Sequence, residues 1–205
     1  MGFYNKIILP KVIDWTCGQS PTMKQREKVI PQASGDVLEI GIGSGLNLPF
    51  YDATSVKSVI GIDPSPEIWK ERDGDPDNLP FQFRYIETGA EDIPLGNNSM
   101  DTVVVTYSLC TIPDLAAAFS EIRRTLKPDG RLIFCEHGRA PDKAVARWQN
   151  RLNPLWKRLG GGCNLNRDIP AIITNNGFEI TRMQTMYIPG WKPASFNFWG
   201  TAKIG

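Results

Sequence analysis

The chain has 205 residues, a formal net charge of +1 and 41% hydrophobic residues. That length and apolar share suit one globular domain with its own core, residues 1–205. With 23 basic and 22 acidic side chains in near balance, nothing calls for nucleic acid or an anionic membrane as partner.

At the N-terminus, Ile7, Ile8 and Leu9 form an apolar stretch that Pro10 and Lys11 interrupt. It is too short and polar for a membrane span or a signal-peptide core, so a cytoplasmic protein is expected. Residues 1–34 read as a helical arm reaching to about Ile30, broken at Gly18–Pro21. Phe3, Ile7, Val12, Ile13 and Trp15 give the arm an apolar stripe. It is expected to pack on the core in preference to lying on a membrane. After Gly35 the pattern becomes strand and helix in alternation. The strand-like runs are Val37–Ile40, Ser58–Ile62, Phe81–Ile86, Thr102–Tyr107 and Arg131–Glu136. Several are continuously apolar, as in parallel strands covered on both faces. Helices are expected at Leu46–Tyr51, Pro66–Arg72 and Leu115–Leu126, the last with Asp114 as N-cap and Pro128–Asp129–Gly130 as its stop. Ala140–Gly160 reads as a longer helix that Pro154 should break or kink. Phe178–Tyr187 and Ser195–Ile204 close the chain as an antiparallel pair joined by a short link. The expected fold is α/β: a doubly wound, Rossmann-like sheet.

Val37-Leu-Glu-Ile-Gly41-Ile-Gly43-Ser-Gly45 runs from a strand into a glycine turn. Glycines permit tight turning and close approach of a ligand to the backbone. The spacing is GxGxG; the dinucleotide fingerprint GxGxxG has Leu46 where its third glycine would fall. Glu39 lies two residues before the first glycine. A carboxylate there disfavours a pyrophosphate and favours a ligand carrying an ammonium and a sulfonium. Its alternative role is to cap local amides. Asp63, about twenty residues on, can accept two hydrogen bonds from a ribose diol, or can cap the helix that begins near Pro64.

The ordered set Glu39–Gly45, Asp63, Ala90–Pro94, Asp101–Ser108 and Leu126–Leu132 resembles the class I S-adenosylmethionine-dependent methyltransferases. The later runs Cys135–Pro141, Trp148–Gln149, Pro154–Lys157 and Gly161–Arg167 resemble the subgroup that includes the microsomal alkyl-thiol methyltransferases. The ubiquinone and menaquinone C-methyltransferases share only the first half. The resemblance implies a seven-stranded sheet, mostly parallel with its last pair antiparallel. It divides the domain into a cofactor-binding half, 35–138, and an acceptor side, 139–205. It implies S-adenosyl-L-methionine as cofactor and S-adenosyl-L-homocysteine as product. Glu39 and Gly41 would hold the methionine end, Asp63 the ribose, and Ala90 and Glu91 the adenine. Gly43, Gly45, Pro64 and Thr106 complete the expected cofactor set. Two departures stand out: Gly89 where relatives carry an aspartate for the adenine, and no counterpart of the microsomal hydrophobic anchor, so membrane location is not carried over.

The expected activity is methyl transfer to a small acceptor such as a thiol. A quinone- or lipid-like carbon or oxygen acceptor is the alternative. A nicotinamide oxidoreductase and a non-catalytic ligand-binding protein are the rivals from other classes. His137, the only histidine, ends the fifth strand on the ligand rim and is the candidate general base. Cys110, His137 and Arg167 are the candidate acceptor-binding residues, with Arg167 read as a partner for Glu136 or for an acidic substrate. Cys17, Cys110, Cys135 and Cys163 are scattered without a CxxC pair and read as reduced thiols, so no metal site is expected. Gly160–Gly162 reads as a loop or a mobile lid, and Trp148, Trp156, Trp191 and Trp199 mostly as core.

Overall fold

A computed structural model describes residues 4–205. Seven strands form one sheet: β1 (Gly35–Ile40), β2 (Val56–Asp63), β3 (Gln82–Glu87), β4 (Met100–Thr106), β5 (Leu126–His137), β6 (Phe178–Tyr187) and β7 (Phe196–Ile204). Their spatial order is β3-β2-β1-β4-β5-β7-β6. The first five are parallel, and β7 runs antiparallel between β5 and β6. The expected sheet is therefore present, its antiparallel hairpin included.

The continuous apolar runs of the central strands have a direct packing cause. Alternate side chains of a strand point to opposite faces. Leu38, Val103, Val105, Leu132 and Phe134 enter one core cluster, which Phe119 and Ile122 of helix α4 (Leu115–Thr125) cover. Val37, Val104 and Ile133 enter a second, on the other face, with Val29 and Ile30 at the end of helix α2 (Ser20–Val29). Burying each such side chain contributes about 1.5–3 kcal/mol, and the carboxylates buried on these strands, Glu39 and Glu136, lie near the strands' carboxyl ends. Asp114 caps α4 as expected, its Oδ1 accepting from the Ala117 amide at 3.0 Å. The helix ends before the proline, however: β5 pairing already begins at Leu126, opposite Met100.

Other expectations change. Leu46–Tyr51 holds only a 3-10 turn, Leu48–Phe50; Pro49 starts that turn and the Asn47 side chain is committed elsewhere. Helix α3 is one turn, Pro66–Trp69. Helix α5 (Lys143–Leu159) continues through Pro154 without interruption. The arm is two helices, α1 (Leu9–Cys17) and α2, but its stripe does not lie on the core. Ile7, Val12 and Trp15 are exposed, Trp15 at 68%, and Phe3 lies outside the described residues. Trp148 and Trp191 are exposed as well. Among the described residues, no helix is long and apolar enough to cross a membrane.

Candidate active site at the carboxyl ends of β1 and β4

β1 has β2 on one side and β4 on the other, and such a switch in strand order opens a crevice at the strands' carboxyl ends. The glycine turn sits there. Gly41, Gly43 and Gly45 have φ of +68°, +55° and +78°, a region cheap only for glycine. A Cβ at Gly41 would also collide with the Ser108 side chain, so the turn can lie flat against the end of β4. Asp63, closing β2, braces it: Oδ2 accepts from the Gly43 amide at 3.0 Å and Oδ1 from the Ser65 amide at 2.8 Å. Burial pushes the Asp63 carboxyl up, and those two amides hold it back. Asp63 is thus a cap and a cavity residue at once.

A cavity of about 580 Å³ opens over the turn. Gly41, Gly43, Asp63, Pro64, Ala90, Glu91 and Thr106 of the expected cofactor set line it, whereas Gly45 and Glu39 do not. Glu39 lies behind the wall, 1% exposed. It caps no amide. Its carboxylate accepts from Asn47 Nδ2 at 2.9 Å and from the Tyr51 hydroxyl at 2.7 Å. Burial raises its pKa to about 7 against these bonds and the nearby Arg26.

Arg26 is the residue that the sequence did not reveal. It reaches from α2 to the cavity, where Nη1 donates to Asn47 Oδ1 at 2.8 Å and to Thr106 Oγ1 at 2.7 Å. Its guanidinium stands 5.1 Å from the centre of the Tyr107 ring. Its Nε is buried and has no partner among the described residues. Tyr107 itself has φ +53°, a conformation that costs a non-glycine residue energy and tends to occur at functional sites. It is held by Cys135, whose carbonyl accepts its amide, and by Asn197 Oδ1, which accepts its hydroxyl at 2.7 Å.

The arm closes the other end. Ser44 in the turn bonds Asp14 of α1, and Leu9, Ile13 and Cys17 face the cavity. Opposite them run Gly161 and Gly162, with φ of +61° and +97°. A Cβ at Gly161 would stand 2.9 Å from Leu9 Cδ2, and one at Gly162 would stand 3.5 Å from Thr111 Cγ2. Lys6, Asp14 and Arg158 join Leu9, Ile13 and the two glycines in the cavity wall.

Cys110, His137 and Cys163 do not line the cavity, but their neighbours Thr111 and Gly162 do. Scattered in sequence, the three meet in space: their donor atoms lie within 4.8 Å of one another, and Cys163 Sγ is 3.3 Å from His137 Nε2. A hydrogen bond from Cys110 lowers the pKa of Cys163, while the same pairing raises that of Cys110. Arg167 is committed to the backbone. It donates to the carbonyls of Leu109 and, at 2.9 Å, Ile112 rather than to Glu136. Glu136 Oε1 instead accepts from the amides of Ser108 and Leu109 at 2.8 and 3.0 Å. Both side chains therefore hold the loop after β4.

The sequence profile of the methyltransferase domain matches residues 38–134. The human thiol S-methyltransferase TMT1B is 34% identical over 182 residues, covering 85% of this chain and 74% of that protein. The chain belongs to the class I S-adenosylmethionine-dependent methyltransferases. The rat thiol S-methyltransferase TMT1B is 31% identical over 79% of this methyltransferase, which spans 65% of the rat protein's length. A ubiquinone/menaquinone biosynthesis C-methyltransferase of Brucella canis is 29% identical, but over only 50% of this chain and 44% of its own. Among solved structures, a Thermotoga maritima methyltransferase described as a possible histamine N-methyltransferase shares the fold at TM-score 0.65 and 18% identity, covering 98% of this chain and 97% of its own. The residues present suit the cofactor of this class: a cationic side chain in the cavity wall for a carboxylate, a glycine turn that a Cβ would block, and an aspartate at the end of β2 for a diol.

Proposed function

We propose that this methyltransferase methylates the sulfur of a small apolar thiol. The observation that carries the reading is where the likeness extends. The thiol S-methyltransferases match 79–85% of the chain, the C-methyltransferase 50%. The wider match takes in residues on the acceptor side, which in this fold shape the second substrate's pocket. Leu9 and Ile13 in the cavity wall offer an apolar surface to an alkyl chain, and Lys6 and Arg158 in the same wall offer positive charge to a thiolate.

Bound in the cavity, the cofactor supplies a methyl carbon already activated by a sulfonium leaving group. The protein's task is to orient and to exclude water. Arg26 would hold the cofactor's carboxylate, Asp63 its ribose, and Ala90 and Glu91 its adenine. The Glu39–Asn47–Thr106 chain fixes Arg26 and places negative charge behind the cationic end. The helices of the arm close the acceptor end against solvent. His137, expected from sequence as a general base, stands against Cys163, and the pair is taken up below.

The test is a competition among acceptors with labelled S-adenosylmethionine: an alkanethiol, a substituted phenol, phosphatidylethanolamine vesicles and a primary amine. The thiol is expected to give the highest kcat/KM. A higher value for any other acceptor overturns the reading.

A further inference from the structure

Three donor groups of soft character converge beside the acceptor end of the cavity from three separate elements. Cys110 comes from the loop after β4, His137 from the end of β5, and Cys163 from the turn after α5. We infer that Cys110, His137 and Cys163 form a binding site for one thiophilic divalent cation of the zinc type, with its fourth coordination position open towards the acceptor end of the cavity.

The geometry is close to that of a bound ion. Zinc–sulfur bonds of about 2.3 Å and zinc–nitrogen bonds of about 2.0–2.1 Å set tetrahedral ligand atoms about 3.5–3.8 Å apart. Here one sulfur–nitrogen distance is 3.3 Å and the largest separation in the set is at most 4.8 Å. Closing round an ion needs side-chain shifts of about an ångström or less, with no backbone movement. Two thiols and an imidazole select zinc-like ions over magnesium or calcium, which take oxygen. Three protein ligands leave one position for water or substrate, and two cysteines with one histidine is an established set for such open sites.

The surroundings fix the ligands as a metal site requires. The Asn164 side chain donates to the carbonyls of Cys110 and Gly162, both at 2.9 Å, and its own amide donates to the Cys110 carbonyl at 2.9 Å. One residue therefore ties the two cysteine-bearing loops together. Glu136 and Arg167 hold the rest of the loop after β4. Two thiolates also neutralise a divalent charge, which lowers the cost of burying it.

Thr111 and Gly162, the chain neighbours of Cys110 and Cys163, line the acceptor end, and the open position is assigned to their side. A thiol bound there forms a sulfur–metal bond and loses its proton to solvent, because a coordinating thiol is deprotonated outright. The resulting thiolate is the nucleophile that methyl transfer to sulfur needs. This last step rests on the thiol reading; the metal site does not.

Reduced protein stripped with a chelator provides the test, with S-adenosylhomocysteine binding as the check of its fold. Cobalt(II) is the probe. One cobalt per chain is expected, with a thiolate-to-cobalt charge-transfer band that one equivalent of zinc removes. Cys110→Ser and Cys163→Ser should each lose the band, and His137→Gln should weaken cobalt binding at least tenfold. Cys17→Ser, whose thiol lines the cavity outside the cluster, should keep it. Protein that binds S-adenosylhomocysteine yet shows no band at stoichiometric cobalt overturns the site. So does a band that survives the double Cys110→Ser/Cys163→Ser variant, or a Cys110–Cys163 disulfide that forms in place of zinc uptake. Thiol turnover by the stripped protein that zinc leaves unchanged overturns the acceptor-binding role. An intact band with no turnover on any thiol supports the site and sinks the thiol reading instead.

Discussion

Arg26 and Asp63 line the same cavity, and they differ in what else they hold. Arg26 donates to Asn47 and Thr106, neutral side chains that survive its loss. Arg26→Leu should therefore leave the fold standing and weaken S-adenosylmethionine binding about ten- to a hundredfold. That range corresponds to about 1.5–3 kcal/mol for charge-assisted bonds. Isothermal titration measures it; unchanged affinity would leave Arg26 as a packing residue. Asp63 also braces the Gly43 and Ser65 amides, so Asp63→Ala mixes lost binding with a loosened turn. Asp63→Asn keeps an acceptor oxygen and is the cleaner probe. It should cost about tenfold in affinity by titration, with a modestly lower unfolding midpoint, since its single oxygen can accept from only one of the Gly43 and Ser65 amides. An affinity equal to wild type would reduce Asp63 to a brace for the turn. The glycine turn and Asp63 were legible in the sequence because spacing after a strand fixes them locally. Arg26 was not. In Ser20–Val29 it is one charge among several on a polar helix, and only tertiary packing turns it inward. Cys110, His137 and Cys163 were invisible as a group for the same reason: 26 residues separate the closing pair, and no local pattern records their meeting.

At the scale of elements, the central strands β1, β4 and β5 could be read from apolar runs because they are buried on both faces, whereas the edge strands β3 and β6 are largely exposed and carry a weaker signal. Short helices carried less. Leu46–Tyr51 has helical spacing, but Asn47 is drawn into the Glu39 network and the chain tightens to a 3-10 turn. The α1 stripe misled because amphipathicity gives the direction of a face and not what meets it: Leu9 and Ile13 turn to the cavity, while Val12 and Trp15 turn to solvent. Helix α5 offers a test of its own. Pro154 lies exposed inside an uninterrupted helix, where proline costs about 3 kcal/mol through its missing amide and ring clash. Proline also stiffens the unfolded chain, which returns about 1 kcal/mol. Pro154→Ala should thus stabilise the protein by about 2 kcal/mol, read as a higher urea midpoint at unchanged slope. A lower midpoint would mean that the proline's bend is needed where Trp156 meets Trp191, their rings 5.2 Å apart.

For the whole molecule, Glu39 couples folding, cofactor binding and pH. Its carboxyl is pushed up to about 7 in the folded protein from the 4.5 of a free glutamate, chiefly through burial. The groups facing it are Tyr51, Asn47 and Arg26, which favour ionisation, and Asp63, which opposes it. The folded state holds the proton longer than the unfolded chain. The stability from this group is complete below about pH 4.5 and is lost as pH rises to about 7. The loss is on the order of 3 kcal/mol at 1.36 kcal/mol per pKa unit. Below that window the surface carboxylates Asp52, Asp101 and Glu121, whose pKa values are lowered, lose their own contribution. Stability of the cofactor-free protein should therefore peak near pH 5. At about 2–4 °C per kcal/mol for a chain of this size, it should unfold roughly 5–10 °C lower at pH 7.5. The cofactor reverses the trend. Its cationic end favours ionised Glu39, so binding expels the proton, and affinity should rise towards pH 7 and then level. Saturation at about a hundred times Kd adds about 2.7 kcal/mol. Thermal unfolding at pH 5.5 and 7.5, with and without S-adenosylmethionine, reads both effects. The shift on binding should be larger at pH 7.5. Glu39→Gln, which cannot ionise, should bind weakly throughout, flatten the pH trend of binding and roughly halve that of stability, since burial also raises the Glu136 carboxyl to about 7. A Glu39→Gln protein that keeps the wild-type pH trends would place the titration at another group.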